Sequence, residues 1–254
     1  MKPIKALVVC KHSEGTEESK ACNILSHEGF DFIYSWKDTL SQKDLKDIDL
    51  VIAIGGDGTV LSASHYLLDR PLLAVNLSPK TSVGALTTTT MENLPEKLEQ
   101  IKDEKYKQEK LERIEVAIND APISHLVLNE VFIGNEKPYH MSKYELFFKG
   151  SKETQRSSGL IFSTGTGSTA WFSSAGGIPF LKDSKFIKMI VREPYKEKDA
   201  KLGMLALDIQ EKEEIKIKVL NPSILAVDSI REYKLLPNDT VSLKISLHPL
   251  KRIV

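Results

Sequence analysis

One carboxylate sits among glycines: Asp57, in the run Asp49-Leu50-Val51-Ile52-Ala53-Ile54-Gly55-Gly56-Asp57-Gly58-Thr59-Val60-Leu61. An apolar strand-like segment enters a loop with three glycines in five residues, and helical residues follow. Adjacent glycines allow positive φ and let the backbone approach a ligand closely. Exposed N–H groups beside a helix N-terminus form a phosphate cradle. A cradle for anions has no electrostatic use for a carboxylate unless that group takes a proton or helps hold a metal. The combination points to a phosphoryl-transfer loop, against the alternative of an Asp-Gly turn in which Asp57 only bonds its own backbone. There is no Gly-x-x-x-x-Gly-Lys-[Ser/Thr] run, so a P-loop enzyme is excluded.

Two further polar groupings could contact a nucleotide. Asn129 and Glu130 interrupt the apolar segment Ile123 to Ile133, where one side chain faces inward by the period of two and needs a partner, in the protein or in a ligand. Thr164 to Ala170 is a glycine-rich polar turn between a strand and a helix, readable as a nucleotide-contacting loop or as a corner of a β structure. Trp171 is either core or a shelf on which a base stacks.

The elements that must carry these groups divide the chain of 254 residues in two. Ile4 to Cys10, Phe30 to Trp36, Asp49 to Ile54 and Leu72 to Asn76 read as strands. Helical segments around Ala21-Ile24-Leu25 and Val60 to Leu68 alternate with them, as in parallel βαβ units. Leu94, Leu98 and Ile101 share a helical face. Beyond them come short β segments: Ile114 to Ile118, Ile123 to Ile133, Tyr144 to Phe148, Leu160 to Ser163, Ile215 to Val219, Ile224 to Val227 and Val241 to Leu247. Asp120-Ala121-Pro122 reads as a hairpin turn. The expected fold is α/β: a Rossmann-like α/β domain over residues 1–92, completed by the C-terminal tail, then a mostly β domain over 93–254.

Composition narrows the function. Lys and Arg number 35 against 35 Asp and Glu, so nothing draws the chain as a whole to nucleic acid or to an anionic membrane. A polyanionic ligand must be held locally. Two cysteines and six scattered histidines form no disulfide framework and no metal-ligand spacing. No apolar run approaches the length of a bilayer span, and the first strand begins too early for a signal peptide. A reduced, cytosolic protein with no metal site of its own is expected.

Gly-Gly-Asp-Gly-Thr resembles the signature shared by NAD kinases, diacylglycerol kinases and phosphofructokinases. Two more segments single out the NAD kinase family: Leu128-Asn129-Glu130-Val131, and the long run from Gly159 to Gly177 containing Thr164-Gly165-Thr166-Gly167-Ser168-Thr169-Ala170-Trp171 and Ser174-Ala175-Gly176-Gly177. Order and spacing match through most of the chain. The resemblance implies a kinase that phosphorylates the 2′-hydroxyl of the adenosine ribose of NAD+ or NADH with ATP and Mg2+. The implied site lies between the two domains of a homodimer or homotetramer. It implies Asp57 as base beside that ribose, with Gly58 also at the substrate. Asn129, Thr166, Thr169 and Ala170 would surround the adenine. Glu130 and Trp171 would contact the ribose–pyrophosphate region, with Ser174 nearby, and Gly55, Gly56 and Thr59 would border the donor phosphates.

The chain also departs from the family pattern. Ser158-Gly159 stands where most members have Asp-Gly, Val83-Gly84-Ala85-Leu86 where they have a Leu-Gly-Phe-Leu-like stretch, and Asp228-Ser229 where they have Asp-Gly. Arg156-Ser157-Ser158-Gly159, Asn76-Leu77-Ser78-Pro79 and Met189-Ile190-Val191-Arg192-Glu193-Pro194 resemble instead the plant NADH kinase and animal mitochondrial branch. Ser158 would lie at the nicotinamide end. Two rivals share the loop chemistry: a lipid kinase of the diacylglycerol type, and a dinucleotide-binding regulator without catalysis.

Overall fold

The computed structural model describes residues 3–11, 16–79, 84–195 and 202–254. Val83, the first residue of the Val83–Leu86 stretch, lies outside them. The described chain falls into two compact units, residues up to Lys110 together with Pro249–Val254, and Leu111–His248. The division lies at Lys110 rather than at residue 92, because the helix carrying Leu94, Leu98 and Ile101 buries all three in the core of the first unit.

That unit contains β1 (Lys5–Cys10), α1 (Thr16–His27), β2 (Asp31–Trp36), β3 (Leu50–Gly55), α2 (Asp57–Ser64), β4 (Leu72–Asn76), β5 (Thr89–Thr90), α3 (Leu94–Lys102) and β6 (Gln108–Leu111). Strands β1, β2, β3 and β4 are parallel. β3 and β4 are buried along their whole length, which explains sequences that are apolar up to the Gly55 and Asn76 at their ends. Val8, Ile52, Ile54, Leu73 and Val75 pack with Ala21 and Leu25 of α1 and with the apolar stripe of α3. Gly29, at φ +76°, ends the turn after α1, where glycine carries no Cβ penalty.

The second unit contains β7 (Ile114–Ile118), β8 (Ala121–Pro122), β9 (Glu130–Gly134), β10 (Ser142–Phe148), β11 (Ser151–Ser157), β12 (Gly159–Ser163), α4 (Trp171–Ser174), β13 (Phe186–Arg192), β14 (Ala206–Gln210), β15 (Ile215–Val219), β16 (Ser223–Val227), β17 (Arg231–Leu235) and β18 (Thr240–Ile245). The last strand, β19 (Leu250–Ile253), belongs to the first unit and pairs parallel with β4. The sheet there runs β2-β1-β3-β4-β19-β6, with β5 on β4. Its order reverses between β1 and β3, and in parallel sheets ligands gather at the carboxyl ends beside such a switch.

Two antiparallel sheets make the second unit, β11-β10-β15-β18-β7-β8 and β14-β13-β12-β9-β16-β17. Alternation divides the residues of the second sheet. Val131, Ile133, Leu160, Phe162, Met189, Leu225 and Val227 enter a core shared with Ile114, Leu146, Ile217 and Leu243 of the first sheet. Phe132, Ile161, Ile190 and Ala226 have the opposite parity and pack with Trp171 and Phe172. The expected α/β unit followed by a β-rich unit is what forms.

Three local expectations change. The segment Ile123 to Ile133 is not one strand, since β9 begins only at Glu130 and Asn129 precedes it. The hairpin turn is Asn119-Asp120, both at positive φ, and Ala121–Pro122 is already β8. Helix α2 runs from Asp57 to Ser64 rather than from Val60 to Leu68.

Candidate functional site

In the first unit the glycine loop lies at the carboxyl end of β3. The Gly56 carbonyl accepts N–H bonds from Thr59 at 2.9 Å and Val60 at 3.3 Å, so Gly56 is the N-cap and Asp57 opens α2. An acidic residue in the first turn also complements the helix dipole. The glycines are not needed here for positive φ, contrary to expectation: Gly56 has φ −107°, and neither Gly55 nor Gly58 is among the positive-φ glycines. Space is the reason at Gly55, where a Cβ would stand 2.3 Å from Thr59 Oγ1. At Gly58 a Cβ would meet no protein atom within 4 Å, so packing does not require glycine and the exposed backbone is open to a ligand.

The Asp57 carboxylate is fixed by a segment that the sequence alone did not tie to it. Leu86 N–H donates to Oδ1 at 2.9 Å and Ala85 N–H to Oδ2 at 3.2 Å. The Ala85–Leu86 segment is itself held from behind. Arg252 of β19, 5% exposed, donates through Nη1 to the carbonyls of Leu86 at 2.8 Å and Ala85 at 3.4 Å, and its guanidinium pairs with Glu109. Thr88 Oγ1 also donates to the Ile253 carbonyl at 2.7 Å. Two peptide groups thus join the C-terminal strand to the candidate base.

In the second unit Asp228 organises the Asn129–Glu130 pair. Its carboxylate accepts three backbone N–H bonds, from Leu128 at 2.9 Å, Asn129 at 2.7 Å and Glu130 at 3.1 Å. These replace the ladder bonds a continuous strand would make, which is why β9 starts at Glu130. Thr164 joins the same stretch: its N–H donates to the Asn129 carbonyl at 3.0 Å, and its hydroxyl to the Leu128 carbonyl at 2.5 Å. Glu130 lies opposite Ser163 of β12 and shares the parity of Phe132, so it points to the Trp171 face and away from the shared core.

Three oxygens of this neighbourhood are buried without a hydrogen-bond partner: Asn129 Oδ1, Glu130 Oε2 and Thr166 Oγ1. A buried oxygen left unpaired costs about 1–3 kcal/mol, so these three are acceptor positions that a donor from water or from a ligand would satisfy. Burial, and then the charge of Asp228, push the Glu130 carboxyl up to about 7. Trp171 packs at 5.0 Å between ring centroids on Phe132, and the Arg192 guanidinium lies 5.5 Å from the Trp171 ring and 5.9 Å from that of Phe132.

The other sequence candidates are placed as follows. Thr169 and Ser174 are exposed, and Ala170 is half-buried between them at the start of α4. Ser158 is at the opposite end of β12 from Thr164, with five strand residues between them, about 20 Å of chain. Its N–H donates to the Arg192 carbonyl at 3.0 Å. Sequence reasoning missed Asp228 as a holder of backbone, Arg252 as a support, and Arg192 beside Trp171. The departure at Asp228-Ser229 was the one signal pointing to the first. Among the described residues no group of three or more His, Cys, Asp or Glu is placed to hold a metal ion. Among them, too, no helix is long and apolar enough to cross a membrane.

Comparison with known proteins gives a consistent result. Residues 6–106 match the family model of the ATP-NAD kinase N-terminal domain and residues 128–254 that of the C-terminal domain. A probable NADH kinase of Oryza sativa subsp. japonica is 31% identical over 206 residues, covering 72% of this chain and 63% of the rice protein. The chain therefore spans somewhat under two thirds of that relative. An NAD kinase of Pseudoalteromonas translucida is 31% identical over 204 residues, covering 77% of this chain and 67% of its own. Two solved structures share the fold. An NAD kinase from Archaeoglobus fulgidus in complex with ATP has a TM-score of 0.79 at 22% identity, covering 98% of this chain and 93% of that one. Yeast NADH kinase complexed with NADH has a TM-score of 0.83 at 18% identity, covering 100% and 84%.

Proposed function

The chain belongs to the NAD kinase family, and we propose on that premise that it phosphorylates the 2′-hydroxyl of the adenosine ribose of NAD+ or NADH with ATP. The products are NADP+ or NADPH, and ADP. The observation that carries the acceptor is the set of buried, unpartnered oxygens of Asn129, Glu130 and Thr166. Asn129 and Thr166, with Thr169 and Ala170, take the adenine; Glu130 and Trp171 take the ribose–pyrophosphate region, with Ser174 and Gly58 nearby. The open backbone at Gly58 and the start of α2 suit a donor phosphate bordered by Gly55, Gly56 and Thr59.

In this reaction the 2′-oxygen attacks the γ-phosphorus, ADP leaves, and Asp57 accepts the hydroxyl proton as the bond forms. The transition state is loose, so alignment and charge neutralisation supply most of the rate. The two N–H bonds from Ala85 and Leu86 fix the carboxylate's plane before substrate arrives. Mg2+ enters as part of the donor, carried on the phosphates of ATP. We propose a cytosolic homodimer or homotetramer; Ile178 and Leu181, 77% and 75% exposed, offer apolar surface for self-association.

A kinase assay with ATP and Mg2+ over NAD+, NADH and diacylglycerol tests the proposal. NADP+ or NADPH is the expected product. Phosphatidate would establish the lipid kinase, and dinucleotide binding without any product would establish a regulator.

A further inference from the structure

The turn that follows β16 places two residues where glycine or asparagine would be easier. Asp228 and Ser229 have φ +50° and +55°, and the Ile230 N–H donates to the Val227 carbonyl at 3.0 Å, the pattern of a type I′ turn. Asp228 is accounted for by its three backbone bonds. Serine at the next position carries a Cβ through a conformation that glycine adopts freely, and its hydroxyl does something glycine cannot. Ser229 Oγ donates to Glu130 Oε1 at 3.3 Å, while Glu130 Oε2 is left buried and unpartnered.

We propose that Ser229 is a positioning residue for the acceptor substrate, holding one oxygen of Glu130 so that the other is presented to a ribose hydroxyl of the dinucleotide. The inference rests on the assignment of Glu130 to the dinucleotide. A hydroxyl donor to Oε1 does two things. It removes one rotational freedom from a carboxyl group whose second oxygen must meet a ligand. It also favours the charged form of a carboxyl that burial and Asp228 press toward neutrality. Asp228 is the charge that acts on Glu130; its cross-strand neighbour on β12 is Ser163, with Lys188 of β13 beyond it, β16 offers Val227 opposite Val131, and Arg192 lies over Phe132 on the same face. Ionised Glu130 accepts two hydroxyl donors, one from Ser229 and one from the ligand. Protonated, it competes as a donor itself and binds the ribose less well.

The test is the affinity for NADH, by calorimetry on the full chain from pH 6 to pH 9, for the wild type, Ser229→Ala and Ser229→Gly. Without the hydroxyl, Glu130 needs a higher pH to ionise. Both variants should therefore bind NADH about fivefold more weakly at pH 7 and within about twofold of wild type at pH 9. ATP affinity should be unchanged. In a Glu130→Gln background neither change should have a further effect. Ser229→Gly relieves the backbone and so keeps the fold, which separates the hydroxyl from the strain. A loss equal at every pH, or no loss, overturns the proposal while leaving the kinase assignment standing. A wild-type chain that binds no dinucleotide at any pH overturns both.

Discussion

The two carboxylates at the centre of the proposed chemistry are held in opposite ways. Asp57, half-exposed at the first position of α2, has both oxygens engaged by backbone N–H groups. Glu130, 5% exposed, has one oxygen on a serine hydroxyl and the other with no partner. The difference matches the two tasks. A general base needs a fixed direction and access to solvent or substrate, and backbone donors on both oxygens supply the direction. A recognition group needs an unmet hydrogen bond that only the right ligand satisfies, because the cost of burying it unpaired becomes selectivity when the partner arrives.

Removing the base should have the largest effect. Asp57→Asn keeps one of the two acceptor oxygens, enough for the stronger bond from Leu86, so fold and dinucleotide affinity should persist while kcat falls by about 10²–10⁴. Near-normal turnover in a folded variant would remove Asp57 from the mechanism.

Next in size are changes at the recognition group. Asn129→Ala and Glu130→Ala should weaken NAD(H) by about tenfold or more with little effect on ATP, read by calorimetry. Glu130 also marks the stability of the unliganded chain. Its carboxyl is raised from 4.5 to about 7, so the fold favours the neutral form. That contribution is fully present below about pH 4.5 and is lost as pH rises through 7, an effect of up to about 3 kcal/mol. Glu130→Gln should therefore raise Tm at pH 8 and change it little at pH 4.5. A gain of equal size at both pH values would mean that the carboxyl is not held neutral by the fold.

A smaller effect is expected one step behind the base. Arg252→Gln withdraws the support of the Ala85 and Leu86 carbonyls, and should lower kcat about tenfold with KM for NADH nearly unchanged, because a small misalignment of the base costs rate rather than binding. If KM rises and kcat does not fall, Arg252 serves binding instead.

The smallest effect concerns redox preference. Ser158→Asp would introduce a carboxylate where the family resemblance places one. A unit charge pair about 5 Å apart at an effective dielectric near 20 is worth roughly 3 kcal/mol, which solvent and the cofactor's phosphates reduce to about 1 kcal/mol. The ratio of kcat/KM for NAD+ over NADH should rise several-fold. An unchanged ratio with both proteins active would mean that Ser158 only shapes the bend before Gly159.

Much of the second unit escaped a reading by periodicity. β11 (Ser151–Ser157) has a polar, charged sequence because it is an edge strand, with only Gln155 and Ser157 buried, so no hydrophobic alternation marks it. β3 and β4 were legible for the converse reason, since burial on both faces makes them apolar until Gly55 and Asn76 at their ends.

What the amino-acid order determined by itself was local: the glycine loop after a buried strand, the Asn129-Glu130 pair, and the polar turn from Thr164 to Ala170. Each is a short stretch whose residue types state their chemistry without reference to distant chain. Tertiary structure alone decided which groups hold them. Asp228 reaches back about a hundred residues to bind the N–H groups of 128–130, and Arg252 reaches Ala85 and Leu86 from the far end of the chain. Sheet pairing brings such partners together, and a hydrogen bond between residues so far apart in sequence leaves no periodic trace in either segment. The same holds for the burial of the Asn129, Glu130 and Thr166 oxygens, since packing, which no local stretch encodes, decides which polar atoms are withdrawn from water.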